Sequence, residues 1–596
     1  MKNMILAGAS ILALSMATPA FSQNISNVDQ TGATNTAEVT QSGDGNDSDV
    51  DQDGATNMAT VDQTGTDGVA GVLQTGDENE TTIDQTSIEG FIDVVQNGNN
   101  NIADITQDDA SGNDTIGIQP AGTADPEARI NQQGNGNDSS ISQTNAAGSF
   151  NVIADNNQTG DGNISTITQG ANGPGFTGTL RATVNQTNGA DSIVTQEANN
   201  GSKNFRADVT QDDSTSTVIQ TGNASTGTNN PALRAVINQT GGSDSMVNQT
   251  VNGVGGGDLF ASVTQSGGAT STVTQSANGD ASVTQDAIVN QTGANQSGIT
   301  QTFNGAGSNT FLATVTQTNS LNVSTVTQTD LTSAPDSGLI ATVTQSGMSN
   351  DSIVTQLNKG ATATVLQTGN ENGSFIDQNG AGNDTNVLQS GIANFADVNQ
   401  NALNSDADVD QLGNNNNVFV NQIAGARNDT AIILQQVGAF ENTATVNQNG
   451  RSGSQSLSTG EIIQSGSLST ATITQNGTRN DALTTQSGIN NTSTTTQTGS
   501  GTGVTPAALY NEAETTQSGN DNVAGVTQDG LLNVSDLLQS GNDGTATVSQ
   551  TGEGNFSDIM QGGSDNTATV TQTSNGNSST VNQLGTNSTA TVMQGN

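Results

Sequence analysis

Glutamine recurs every 11 residues, at Gln30, Gln41, Gln52, Gln63, Gln74, Gln85, Gln96 and Gln107. A second run goes from Gln345 through Gln356 and Gln367 to Gln422. A third takes in Gln517, Gln528, Gln539, Gln550, Gln561, Gln572, Gln583 and Gln594. A side-chain amide carries two donors and an acceptor oxygen, so its chemistry is hydrogen bonding. Catalysis has little to draw on. The chain has no Cys and no His, which removes thiol chemistry, disulfides and the usual general base. Ser and Asp abound, but without His or a placed Lys they make no catalytic set. The expectation is a non-enzyme without a cofactor. The carboxylates offer one further chemistry. Asp29, Asp51, Asp62 and Asp84 each stand just before a Gln of the first run. Stacked at a 22-residue offset, Asp29 would lie beside Asp51 and Asp62 beside Asp84. Like charges side by side repel, and they sit within the Debye length of about 8 Å. The direct reading is a soluble face that restrains premature association. Divalent-cation binding between Asp29 and Asp51 is the weaker alternative.

What positions the amides is legible in the residues around them. Two before Gln stands Val, Ile or Leu at 23 of the 24 positions in the three runs, with Thr515 the exception. Four before is usually Ala, Ser or Thr, as Ala37, Ser48 and Ala59. Six before is often Asn, as Asn35, Asn46 and Asn57. Two after is often Gly, as Gly32, Gly43 and Gly54. Successive strand residues face opposite sides. Asn35, Ala37, Val39 and Gln41 therefore share an inward face, and Thr36, Glu38 and Thr40 an outward one. This is the alternation of a half-buried strand of roughly seven residues. Gly in the next four residues supplies φ > 0 and turns the chain.

A strand of this kind cannot bury its face alone, but stacked copies can. Thr-Ala-Thr-Val begins at Thr545, Thr567 and Thr589, a spacing of 22. The small inward residue alternates in step: Ser535, Ala546, Ser557, Ala568, Ser579, Ala590. Two strand-turn units thus form one 22-residue coil with two faces, and like strands stack on like. Between Gln169 and Gln345 many Gln spacings lengthen, alternating with short ones, so extra residues enter one turn of each coil. There an apolar residue often replaces the Asn six before Gln: Leu180, Phe205, Leu233, Leu259, Phe311 and Leu339. Pro120, Pro126, Pro174, Pro231, Pro335 and Pro506 all fall in irregular segments, where no ladder bond is lost. The predicted fold is an all-β, amyloid-like β-solenoid. At about 4.8 Å per coil it is a rod on the order of 120 Å long. Gln41 and its equivalents, with Asn35, Asn46 and Asn57, would then form amide ladders along the axis.

Composition sets limits. The chain has 596 residues, net charge −46, and only 30% hydrophobic and 2% aromatic residues. Several ordinary cores cannot be filled from that, and the strict period argues against disorder despite the acidity. The charge speaks against nucleic acid and anionic membranes as partners. Lys2, an apolar run from Met4 to Met16 and the small residues before Gln23 read as a secretory signal peptide. The apolar run is too short for a membrane span. The organisation reads as a signal peptide at 1–22, regular repeats at 23–119 and irregular repeats with turn insertions at 120–344. Regular repeats follow at 345–435, mixed repeats at 436–516 and regular repeats at 517–596. The segment from Gly253 to Gly257 reads as a long turn rather than a phosphate loop.

The pattern Gln-x4-Asn-x5-Gln in 22-residue units resembles the curlin repeat of curli-type bacterial functional amyloid. It is carried by Gln30, Asn35 and Gln41, and again by Gln561, Asn566 and Gln572. The resemblance implies a secreted subunit that leaves through an outer-membrane channel. It would polymerise on a nucleator into extracellular fibres for biofilm matrix and adhesion. The partner expected is a second copy of the chain, assembling end to end because terminal coils expose unpaired strand edges and no capping element follows the last run. A monomeric β-solenoid adhesin or stalk and a calcium-dependent matrix protein are the alternatives. Outward Thr567 and Thr569 suggest an ice-binding face only weakly, because Asp and Asn interrupt it.

Overall fold

The computed structural model describes residues 23–109, 127–146, 150–172, 178–199, 204–224, 232–253, 257–278, 283–305, 309–331, 338–357, 359–423, 425–450, 457–499 and 511–595. The expected signal peptide, the six prolines of the irregular segments and residues 254–256 lie outside them. The described residues form 46 strands and no helix, numbered β1 to β46 in chain order. Alternation builds them. In β3 (Asp47–Ala55), Ser48, Val50 and Gln52 are buried while Asp47, Asp49, Asp51 and Asp53 face water. This is the period-two arrangement of a strand with one face covered.

Odd and even strands form two separate 23-stranded parallel sheets pressed face to face. β1 (Ile25–Ala33) pairs with β3, setting Val28 on Val50, Asp29 on Asp51 and Gln30 on Gln52. β2 (Thr36–Gln41) pairs with β4 (Met58–Gln63), setting Val39 on Val61 and Gln41 on Gln63. The offset is the 22 residues that the sequence predicts. Longer connections do not disturb the register: Gln107 still pairs with Gln143, and Gln486 with Gln517. Neither sheet closes on itself. Among the described residues β1 and β2 pair on one side only, as do β45 (Ser578–Gln583) and β46 (Thr589–Gln594) at the other end. At about 4.8 Å per coil, 23 coils give a rod of about 105 Å.

The core is two rows of small and aliphatic side chains. Val50, Val61, Val72 and Ile83 lie against Ala59, Ala70 and Ala103 in one continuous cluster that runs on to Ala482. Where the strands lengthen, a second cluster forms beside it: Val152, Leu180, Phe205, Leu233 and Leu259 with Ala171, Ala198, Val251 and Ala277. Phe303, Phe311 and Leu339 continue it with Val283 and Ala361. Apolar replacements six before Gln therefore widen the core at one edge. That edge is always the same. Every connection of eight or more residues joins an even strand to an odd one, as from Asp109 to Glu127 and from Gly499 to Asn511. Odd-to-even turns have five residues or fewer, apart from the seven between Gln435 and Thr443.

Those turns use glycine differently from the sequence expectation. Gly32, Gly43, Gly54 and Gly76 do take positive φ. Those two after Gln in the middle run, such as Gly369 and Gly391, do not, and a Cβ on Gly391 would stand 1.5 Å from the Gly413 carbonyl oxygen of the next coil. Close approach of stacked backbones fixes glycine there. The left-handed residue of the turn is instead the one before Asn, such as Thr34, Thr56, Glu78 and Asn100.

Candidate functional site

The feature that runs the length of the molecule is a pair of glutamine rows, one per sheet. In the odd sheet, Gln30 Nε2 donates to Gln52 Oε1 at 2.6 Å, Gln52 to Gln74 at 2.7 Å and Gln74 to Gln96 at 2.9 Å. The same contact follows through Gln345 to Gln367, Gln517 to Gln539, Gln539 to Gln561 and Gln561 to Gln583. In the even sheet, Gln41 donates to Gln63, Gln63 to Gln85 and Gln85 to Gln107. Gln356 donates to Gln378, Gln528 to Gln550, Gln550 to Gln572 and Gln572 to Gln594. Irregular spacings do not interrupt the rows. Gln107 reaches Gln143, Gln143 reaches Gln169, and Gln158 reaches Gln186. These members lie outside the regular runs. Val or Ile two places before marks Gln143, Gln169 and Gln186 in the sequence, whereas Asn156 stands there before Gln158. At Gln239 and Gln265 the amides satisfy their neighbours with O and N exchanged, nitrogen on the Thr215 and Asp244 carbonyls.

The second amide proton has its own acceptor, which the sequence did not reveal. It goes to the backbone at the opposite sheet's strand start. Gln52 Nε2 donates to Thr36 O at 3.1 Å, and Gln41 Nε2 to Ile25 O at 2.9 Å. Others donate to the carbonyl five residues on, as Gln96 to Asn101 O at 3.0 Å. These amides thus extend their row along the axis and tie one sheet to the other. A buried amide left without partners costs about 1–3 kcal/mol, so these bonds are what permit glutamine in so thin a core.

Asn35, Asn46 and Asn57 work at the turns. Asn35 Oδ1 accepts from the Asn57 backbone N at 3.1 Å, and Asn57 Oδ1 from the Asn79 backbone N at 3.0 Å. Asn57 Nδ2 donates to Gly76 O at 2.7 Å. Asn46 Oδ1 accepts from Gly68 N, and its Nδ2 donates to Gly65 O. The asparagines therefore staple each turn to the backbone of the coil above. An outer row does the same at Asp77, Asn99, Asn135 and Asp161, each accepting from a backbone N–H of the preceding coil.

Asp29 and Asp51 are register neighbours on the exposed face, as are Asp62 and Asp84. Among the described residues no group of three or more His, Cys, Asp or Glu side chains converges as a cation site would need. Stacking does perturb other carboxyls. Burial raises Asp406 above the usual carboxylate range, with Asp384 adding to it. Burial and Asp377 do the same to Asp397, and burial and Asp104 to Asp138. Among the described residues no helix is long and apolar enough to cross a membrane.

The curlin associated repeat family matches residues 27–54, 56–86, 466–499, 519–552, 541–573 and 563–595. The matched segments lie at both ends of the rod, and each carries ladder glutamines. A search of the curated proteins gave no match.

Proposed function

This chain is a curlin-repeat protein, and from that premise we propose that it is a secreted structural subunit that assembles end to end into curli-like extracellular fibres. Fibres of this kind would serve a biofilm matrix and adhesion. The observation that carries the reading is the polarity of the amide rows. With Gln30 and Gln41 at one end, the oxygens face outward with no ladder donor. At the other end Gln583 and Gln594 give one proton to Thr567 O and Ser578 O and keep a second for an acceptor beyond. The two ends are complementary, as are the one-sided strand edges of β1, β2, β45 and β46. Such a contact is head to tail, and a head-to-tail contact that does not close into a ring gives a filament. A nucleating subunit and an outer-membrane channel are the partners that this assembly route would use. The regular repeats at both ends would be the assembling parts, and the irregular ones the body.

The test is fibre diffraction and negative-stain microscopy of the purified mature chain. Fibres with a meridional reflection near 4.8 Å support the reading. A single elongated monomer in sedimentation, unchanged over days, overturns it in favour of a monomeric adhesin or stalk. A calcium titration followed by circular dichroism separates the calcium-dependent matrix protein.

A further inference from the structure

Among the described strands, the positive charge of this acidic rod is confined to one sheet. Arg129, Arg181, Arg206 and Arg234 are the Lys and Arg residues borne by described strands, and all four point outward from the odd sheet. Lys359, Arg427 and Arg479 sit in connections. The even sheet presents no cation from its described strands. Three of the arginines form one column, Arg181 on Arg206 on Arg234. The same column then continues through Phe260, Asp286, Leu312, Ile340 and Thr362 to Asp384 and Asp406.

Its order is self-complementary about Leu312. Arg234 stands three coils before Leu312 and Asp384 three coils after. Arg206 stands four before and Asp406 four after. The middle is apolar, with Ile288 beside the column at Phe260, Leu312 and Ile340, all of them half-buried or exposed. We infer that two copies of this chain pair side by side and antiparallel through their odd sheets, about a two-fold axis lying along β23 (Asn309–Gln317). In that arrangement Leu312 meets Leu312, Arg234 meets Asp384 of the partner and Arg206 meets Asp406. Each ionic contact occurs twice, as an isologous interface requires. The face from Arg181 to Ile432 spans 11 odd strands about 4.8 Å apart. With outward side chains over about 16 Å of strand, it offers about 800 Å² per partner, the size of a standard stable interface. Arg206 already bonds Asp208 at 2.6 Å, but a guanidinium has donors to spare. Two contacts fit poorly: Asp286 faces Ile340 of the partner, and Asp208, held by Arg206, faces Asp408.

Lateral pairing does not rest on end-to-end assembly, and its test reads separately. The chain has no Cys, so introduced thiols are unique. Full mature protein carrying Arg206→Cys is mixed with protein carrying Asp406→Cys under mild oxidation at low ionic strength. The expected result is at least tenfold more disulfide dimer than from Arg206→Cys with Thr272→Cys, an outward position of the even sheet. Equal yields overturn the proposal. For charge reversal, Leu312→Cys reports the pairing. Arg206→Asp alone and Asp406→Arg alone should each lower its self-cross-linking about tenfold, and the double exchange should restore it. Failure of the double exchange to restore it, with circular dichroism showing each variant folded, overturns the pairing. So does retention of the wild-type chain on an anionic polysaccharide resin that is lost in Arg206→Asp while cross-linking stays unchanged, which would assign the stripe to a polyanion. Asp286→Leu should tighten the pair. Dimers without fibres would keep this inference and remove the end-to-end reading.

Discussion

Gln389 Nε2 lies 2.7 Å from Gln411 Oε1 and 2.9 Å from Gly373 O in the opposite sheet. One side chain thus closes a bond along the rod and a bond across it. Its own oxygen accepts from Gln367 at 2.7 Å. Replacing it by Leu keeps most of the volume but strands the Gln367 donor, the Gln411 oxygen and the Gly373 carbonyl.

A buried group left unpaired costs about 1–3 kcal/mol, so Gln389→Leu should destabilise its surroundings by about 3 kcal/mol or more. A stacked array need not unfold as one unit. The loss should therefore appear as faster amide hydrogen exchange in the coils holding Gln367, Gln389 and Gln411, with the ends of the rod little changed. Uniform exchange along the chain would refute the local account.

Glycine offers a sharper contrast. Gly391→Ala places a Cβ 1.5 Å from Gly413 O and 2.9 Å from Asn394 Nδ2. The coils must part at that turn, and a cost of about 3 kcal/mol is expected. Gly525, on an outward strand position, has nothing within 4 Å of its added carbon. There Gly→Ala should stabilise by about 0.4–1 kcal/mol through the unfolded chain. Urea unfolding of both variants checks the pair; equal shifts would show that contact between coils is not what selects glycine.

Period and face were legible in the sequence because strand alternation needs only local chemistry. Val50 and Gln52 announce their side without any knowledge of the partner strand. The 22-residue offset was legible from Thr545, Thr567 and Thr589, since like strands stack on like. The Gln52 bond to Thr36 O was not, because it depends on how far apart two sheets settle. Nor was the reason for Gly391, which lies in a carbonyl one coil away rather than in its own φ. The Asn57 contact to a backbone N–H also escaped, since an amide in a sequence does not say which polar group it will meet.

Acid should strengthen this rod, contrary to common behaviour. Burial first, then a nearby carboxylate, raises Asp138, Asp286, Asp397, Asp406, Asp410 and Asp536; the neighbours are Asp104, Asp258, Asp377, Asp384, Asp408 and Asp558. Burial raises Asp481 as well. In the folded state these groups keep their protons to higher pH than in the unfolded chain. The folded state therefore binds more protons above the ordinary carboxyl value near 4, and stability falls as pH rises through that interval. Thermal unfolding should occur at higher temperature at pH 4 than at pH 7, and assembly should be faster at pH 4. A rod equally stable at both values would remove the carboxylate repulsion from the account.

The aliphatic row two before Gln is broken in three successive strands. Thr484, Thr495 and Thr515 take the place of Val in β37 (Asn480–Gln486), β38 (Thr492–Gly499) and β39 (Asn511–Gln517). All three are fully buried, and their hydroxyls have no hydrogen-bond partner. Thr484 stacks directly on Thr515, with Ile462 before and Leu537 after. Thr495 lies between Ile473 and Val526 in the other sheet. One continuous core ends at Ala482 and another begins at Ala513, so these threonines form a polar seam across the rod. Each unsatisfied hydroxyl costs about 1–3 kcal/mol, and Val fills nearly the same space without it. The triple change to Val should raise local stability by about 3 kcal/mol or more. In the unaltered protein the amides of β37 to β39 should exchange faster than those of β27 (Thr362–Gln367) to β31 (Asp406–Gln411), and the triple variant should abolish the difference. If β37 to β39 were already as protected as the middle run, the hydroxyls would be satisfied in solution and the seam would not weaken the stack.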